Sequence, residues 1–268
     1  MERYILSIDQ STQGTKAMLF DAAGQLTARV DRAHRQYVNE KGWVSHDLDE
    51  ILSNTLAVAR DVLAKADVWP EQIVAVGISN QRETVAAWNR TTGEPVGKAI
   101  VWQCARAKDI CEKLTAHADT VQQKTGIPLS PYFSAPKMAW ILQNEPGAAE
   151  LAEKNELCFG TIDSFLVSHL TEEKAFKTDY SNASRTQLFN IHTLQWDEEL
   201  CRIYGVPETC LPEVCMSDSV FGHTTFGGLL KTPVPLCGVL GDSHAALLGQ
   251  NCRTPGQTKA TYGTGSSV

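Results

Sequence analysis

The sequence predicts an α/β protein, and three observations carry the prediction. Residues 1–32 read as a meander of short strands, residues 47–63 repeat apolar side chains at helical spacing, and IVAVGIS at 73–79 is a nearly unbroken β-branched run. Such a run is the mark of a strand covered on both faces, so a mixed sheet with flanking helices is expected.

In chain order, the meander strands are expected at Tyr4–Ile8, Ala17–Phe20 and Leu26–Val30, with the turn AAGQ at 22–25. Between the first two lie Asp9, Gln10, the hydroxyls of Ser11, Thr12 and Thr15, Gly14 and Lys16. A two-residue hairpin turn needs far less hydrogen-bonding capacity. Two readings stand side by side: a polar hairpin loop, or an anion cradle of successive backbone N–H groups, threonine hydroxyls and a lysine. No Walker-type GxxxxGK[ST] occurs. A helix follows from Asp47, with Leu48, Ile51, Leu52, Leu56, Ala59, Val62 and Leu63 on one face, Asp47 and Glu50 at capping-box spacing, and Pro70 closing it. After IVAVGIS, the stretches ETVAAWN and KAIVW suggest further strands, and the order implies a βαβ crossover. Helices are expected near 105–118, 136–143 and 197–204, the last stopped by Gly205, and VPLCGVLG at 234–241 repeats the buried-strand pattern.

The chain has 268 residues, 43% of them apolar, enough for one large domain or two smaller ones. Its 24 basic and 31 acidic residues give a net charge of −7 without a basic stripe, which argues against a nucleic-acid surface. No apolar run approaches membrane-spanning length, and Asp9 interrupts the opening MERYILSIDQ too early for a signal peptide, so a cytoplasmic protein without a membrane partner is expected. The eight cysteines and seven histidines form no CxxC and no zinc spacing, so buried thiols and ordinary imidazoles are the expectation.

Two aspartates share one grammar. Asp9 follows LSI and Asp242 follows GVLG, each where an apolar strand gives way to polar residues. In open α/β sheets ligands gather at the carboxyl ends of strands, where two carboxylates can divide phosphoryl transfer into holding a magnesium ion and accepting a hydroxyl proton. Read alone, Asp242 is first an N-cap of the short helix DSHAALLG, the Arg82-Glu83 pair is by default a surface ion pair or two unrelated charges, and Trp102 and Tyr132 also read as core aromatics, although Tyr132 stands in a loop between Pro131 and Phe133.

The motifs DQSTQGTK, NQRET (80–84), PYFSAPKMAWILQN (131–144), GDSHAAL and TYGTGSSV (261–268), in this order, resemble those of the FGGY carbohydrate kinases, and within that family their wording is nearest to the glycerol kinase branch. FGTIDSFL, TDYSNASRTQLFNIHTLQWD and LPEV add to the likeness, which covers the whole chain. The resemblance implies a ribonuclease H-like, actin-like ATPase fold, with residues 1–250 as a substrate-binding N-terminal domain and 251–268 as the truncated start of a nucleotide-binding second one. It further implies that Arg82 and Glu83 hold polyol hydroxyls, that Trp102 and Tyr132 line the pocket, and that Asp242, beside Ser243, is the general base. Asp9 would face Mg²⁺ directly or through water, and Thr12, Gln13, Thr15, Lys16 and Thr264 would lie against the phosphates of ATP.

Four departures from the glycerol kinase pattern bear on the substrate: GDSH for GDQQ, TGSS for TGCF, Lys16 for arginine, and WQCARA for WQDRR, with Cys104 in place of an acid. Each enlarges or re-polarises the expected pocket. The implied activity is ATP-dependent phosphorylation of a hydroxyl on a small polyol or sugar, glycerol-like polyols favoured. A ketopentose, tetritol or pentitol kinase stays open, as do a non-catalytic sugar-binding regulatory protein and self-association as a homo-oligomer.

Overall fold

The structure is a computed structural model that describes residues 2–262 and the backbone of 266–267. Its elements run β1 (Tyr4–Gln10), β2 (Gly14–Phe20), β3 (Leu26–Ala33), β4 (Gln36–Val38), β5 (Val44–His46), α1 (Leu48–Ala66), β6 (Ile73–Asn80), β7 (Val85–Asn89), β8 (Ala99–Ile100), α2 (Lys108–Lys113), α3 (Ala118–Thr125) and α4 (Ser134–Asn144). They continue with α5 (Ala148–Glu153), β9 (Leu157–Thr161), α6 (Ile162–Leu170), β10 (Lys177–Asp179), α7 (Tyr180–Ala183), β11 (Phe189–Asn190), β12 (Gln195–Trp196), α8 (Glu198–Tyr204), β13 (Glu213–Cys215), β14 (Gly222–Thr224), β15 (Val234–Gly241), α9 (Asp242–Gly249), β16 (Thr261–Tyr262) and β17 (Ser266–Ser267).

The main sheet has the order β14-β15-β6-β1-β2-β3. Strands β1, β2 and β3 form the expected antiparallel meander, whereas β6 lies parallel to β1 and β15 parallel to β6. This mixed sheet with its flanking helices is the ribonuclease H-like architecture. In β1 the alternation is strict: Tyr4, Leu6, Ile8 and Gln10 are buried, and Ile5, Ser7 and Asp9 face the other way. The buried face joins α1 and α6 in one core, where Leu6, Ile8, Leu19, Ile51, Val58, Phe165 and Leu236 are almost fully enclosed. Each such aliphatic side chain contributes about 1.5–3 kcal/mol by leaving water.

Helix α1 starts where expected: the Glu50 N–H donates to Asp47 Oδ1 at 3.2 Å. Only half of the capping box forms, because the Glu50 carboxylate accepts instead from the Arg35 N–H. The helix ends at Ala66, with Asp67 in the left-handed region at φ 52°, four residues before Pro70, which opens a separate 3-10 turn. The expected helix at 105–118 is broken as well, into α2 and a 3-10 turn at Thr115–His117, before α3 begins at Ala118.

A second sheet, β4-β5-β8-β7-β9, is antiparallel throughout and encloses its own core with α4 and α8. The chain builds it in two excursions, β4 and β5 between β3 and α1, then β7, β8 and β9 between β6 and β14, where it returns to the first sheet. Three adjacent parallel strands, β1, β6 and β15, thereby end on one edge. Among the described residues, no helix is long and apolar enough to cross a membrane.

Candidate functional site

The first correction concerns the opening hairpin. Strand β1 does not stop at Ile8; it runs through Asp9 to Gln10, and Gly14 already pairs in β2, so the turn is three residues, Ser11 to Gln13. Asp9 and Lys16 sit opposite one another in the ladder. Their side chains meet on the sheet's open face, Lys16 Nζ donating to Asp9 Oδ2 at 2.7 Å while Ser79 Oγ on β6 donates to Oδ1 at 2.7 Å. Thr15 lies one position along and therefore points to the buried face, 0% exposed, so an anion at this turn would meet its backbone and not its hydroxyl. Gly14 is required by space, since a Cβ there would come within 2.5 Å of the Arg32 carbonyl oxygen. A shallow cavity of about 220 Å³ opens beside the turn, lined by Ser11, Gln13, Gly14, Lys16 and Arg32 among others.

The second strand end is β6. Beyond Asn80 the chain makes a tight turn in which the Thr84 N–H donates to the Arg82 carbonyl at 2.7 Å and Glu83 takes φ 60°. Glu83 is therefore in a strained turn and not in the strand expected from ETVAAWN. The turn sends its two charges apart. Arg82 Nε donates to Asp242 Oδ1 at 3.2 Å and its Nη2 to Ser243 Oγ at 3.1 Å. Glu83, its side chain only 3% exposed, accepts from Arg185 Nε at 2.6 Å.

The third strand end is β15. Asp242 is the first residue of α9, and the cap position belongs to Gly241, so the carboxylate is not an N-cap. Its Oδ1 accepts from the N–H of Ser243 at 2.6 Å. Gly241 is itself anchored, its N–H donating to Ser181 Oγ at 2.8 Å, and Ser181 Oγ donates in turn to the buried Asp179 at 2.6 Å. Asp9 is in register with Ser79, and Gly241 with Asn80. Two inter-strand spacings separate β1 from β15, so the carboxylate-bearing strand ends are about 10 Å apart across the sheet.

The aromatic wall stands over this edge. Trp102 and Tyr132 are half-buried, with ring centroids 5.4 Å apart. Trp102 Nε1 donates to Thr12 Oγ1 at 2.9 Å, tying the wall to the hairpin turn. The Tyr132 phenol is pushed above its ordinary pKa, chiefly by burial and then by the Glu83 charge, while Arg82 and Arg185 pull the other way and Asp242 adds a small push. That one phenol senses all four charges because they converge beside it. A cavity of about 410 Å³ lies next to Asp242, lined by Arg82, Arg185, Ser243, His244, Lys259 and others. The His244 imidazole is held below its ordinary pKa, first by burial and then by Arg82.

The structure thus brings together Asp9, Lys16 and Thr12 on one side and Arg82, Glu83, Trp102, Tyr132, Asp242 and Ser243 on the other. Gln13 is exposed at the turn, and Thr264 lies outside the described residues. Sequence reasoning missed Arg185, although it stands inside the TDYSNASRT motif, and it missed Ser79, Ser181 and Lys137.

Comparison with known proteins follows the same lines. The profile of the FGGY family of carbohydrate kinases, N-terminal domain, matches residues 4–249. The chain is 47% identical over 269 residues to a glycerol kinase of Pseudothermotoga lettingae, covering 100% of this chain and 54% of that protein. It is 51% identical over 264 residues to a glycerol kinase of Alcanivorax borkumensis, covering 98% and 53%. In three dimensions it resembles the crystal structure of Plasmodium falciparum glycerol kinase with ADP, with a TM-score of 0.92, 35% identity and coverage of 99% of this chain and 53% of that one. The chain spans about half the length of the curated relatives it matches.

Proposed function

The chain belongs to the FGGY family of carbohydrate kinases, and on that premise we propose that it is the substrate-carrying part of an ATP-dependent polyol kinase, with a glycerol-like polyol as the favoured substrate. Residues 1–250 form the first domain in this reading, and 251–268 lead into a second, nucleotide-binding domain of the kind that the greater length of its relatives accommodates. The observation that carries the proposal is the convergence of three parallel strand ends, with Asp9 and Asp242 on either side of the Arg82-Glu83 turn.

Asp242 accepts the proton of a primary hydroxyl as that oxygen attacks the γ-phosphoryl group of ATP. Arg82 Nε and the Ser243 N–H both fix Oδ1, and among the described residues Oδ2 has no donor, which leaves it for the proton. Glu83 and Arg82 supply an acceptor and a donor for neighbouring hydroxyls, and Trp102 and Tyr132 offer flat walls to the carbon chain. Lys16 lies within reach of a phosphate at the hairpin turn.

Asp9 fits a magnesium ion of the usual kind, held by one protein carboxylate and otherwise by water and phosphate oxygens: it sits at a strand end, its side chain is 23% exposed, and Lys16 and Ser79 orient both oxygens. When bound, such an ion neutralises charge on the transferring phosphoryl group. The second reading, a four- or five-carbon polyol or ketose, is supported by Ser243, whose short side chain borders the 410 Å³ cavity beside Asp242.

The test is ADP release by the full-length polypeptide with glycerol, erythritol, xylitol, xylulose and ribulose in turn. Stimulation by a polyol, glycerol foremost, is expected. Release that none of the five stimulates would overturn the proposal.

A further inference from the structure

We propose that Lys137 is a positioning residue for the polyol wall: its ammonium clamps the three successive carbonyls that precede α4 and so fixes Tyr132 over the cleft. The side chain is 0% exposed. Its Nζ donates to the carbonyls of Pro131 at 2.7 Å, Tyr132 at 2.5 Å and Phe133 at 3.0 Å. An ammonium has three protons, and three carbonyls take them all.

The location is an unfavourable one for a cation. Lys137 lies in the first turn of α4, where the helix dipole presents its positive end, and burial of a charge costs several kcal/mol unless its donors are fully satisfied. The carbonyl triad supplies that satisfaction, and in return the loop loses its freedom. The same loop is braced from the other side. The Arg185 guanidinium, held by Glu83, lies 5.0 Å from the centre of the Phe133 ring, and Ser134 Oγ donates to the Glu83 carbonyl at 3.1 Å. Residues 131–134 are therefore pinned between the Arg82-Glu83 turn and the buried ammonium.

Charge matters to the clamp, because a neutral amine has two N–H groups and must release one carbonyl. Burial lowers the Lys137 pKa to about 7; Glu83, Cys104 and Cys111 act to raise it, and Arg106 acts with burial. The sign is then fixed: the clamp is complete below neutrality and loosens as pH rises.

The inference rests on the polyol kinase reading for its assay, which uses the full-length polypeptide. For Lys137→Met, KM for the polyol should rise about tenfold or more, the loss of at least one charge-assisted hydrogen bond, with KM for ATP near wild type and a smaller change in kcat. Combined with Tyr132→Ala, Lys137→Met should add much less than it does alone, since it acts through Tyr132; a merely structural role would add in full. In wild type, which tests the idea even where the variant fails to fold, KM for the polyol should climb between pH 6.5 and 8.5 while KM for ATP does not. A wild-type polyol KM in Lys137→Met, full additivity with Tyr132→Ala, or a flat polyol KM over that pH range would each overturn the inference. If no polyol stimulates wild-type turnover, the functional reading fails instead, so the two failures are told apart.

Discussion

Gly241 is where a single methyl group should disable the site without disturbing the fold. Its backbone, φ −61° and ψ 139°, is open to any residue, so alanine causes no strain of its own. The obstacle is Arg82: a Cβ at 241 would lie 2.5 Å from Arg82 Cδ and 2.6 Å from Cγ. Carbon atoms at rest sit about 3.5–4 Å apart, so the arginine stem must retreat by about 1 Å. That retreat breaks the contacts of Nε with Asp242 at 3.2 Å and of Nη2 with Ser243 at 3.1 Å, which have no slack. Hydrogen bonds to charged groups contribute about 1.5–3 kcal/mol, and a 1 Å misplacement near the chemistry costs about a hundredfold. For Gly241→Ala in the full-length polypeptide, kcat/KM for the polyol should fall about 10- to 100-fold, with KM for ATP and the circular dichroism spectrum near wild type. Gly238→Ala, in the same strand, is the control, because its nearest new neighbour is Gly77 Cα at 4.0 Å. Equal activity of Gly241→Ala and Gly238→Ala would refute the reasoning.

Two further outcomes follow from individual contacts. Trp102→Phe removes the Nε1 donor to Thr12 Oγ1 but keeps a flat wall; a bond of about 1 kcal/mol links wall to hairpin, so KM for ATP should rise roughly fivefold, and an unchanged value would sever that link. His46 is buried beside His34, with ring centroids 4.5 Å apart, and burial, with a smaller contribution from His34, lowers its pKa from 6.5 to about 3. The unfolded chain takes up that proton first, so stability is full above pH 6.5 and is lost as pH falls toward 3. At pH 5 the loss is about 2 kcal/mol, and urea unfolding should show wild type losing that much more than His46→Phe between pH 7 and pH 5. Parallel losses in the two proteins would remove His46 from the account.

The main sheet was legible because its strands are long enough to display a period. Val76, Ile78 and Val239 announce burial by their type, and Asp9 and Asp242 stand out against such runs. In the second sheet, ETVAAWN and KAIVW announced β7 and β8, whereas β4 and β5 have three residues each and no period can appear in them. The end of β1 was misjudged for a different reason: Asp9 and Gln10 are polar, yet Gln10 is buried and paired, so composition suggested a turn where the ladder continues. Within the site, Arg82, Glu83, Trp102, Tyr132 and Asp242 were reached through motifs, but Arg185 is 102 positions from the Glu83 it pairs with. Lys137 reads in the sequence as a solvated helix residue, and only packing buries it.

The account stands most directly on Asp242 as proton acceptor beside a phosphoryl group lodged near Asp9. Steady-state turnover of the Asp242→Ala full-length polypeptide is the decisive measurement: kcat is predicted to fall by at least about a hundredfold, with a modest change in polyol KM. Turnover near the wild-type value would contradict it.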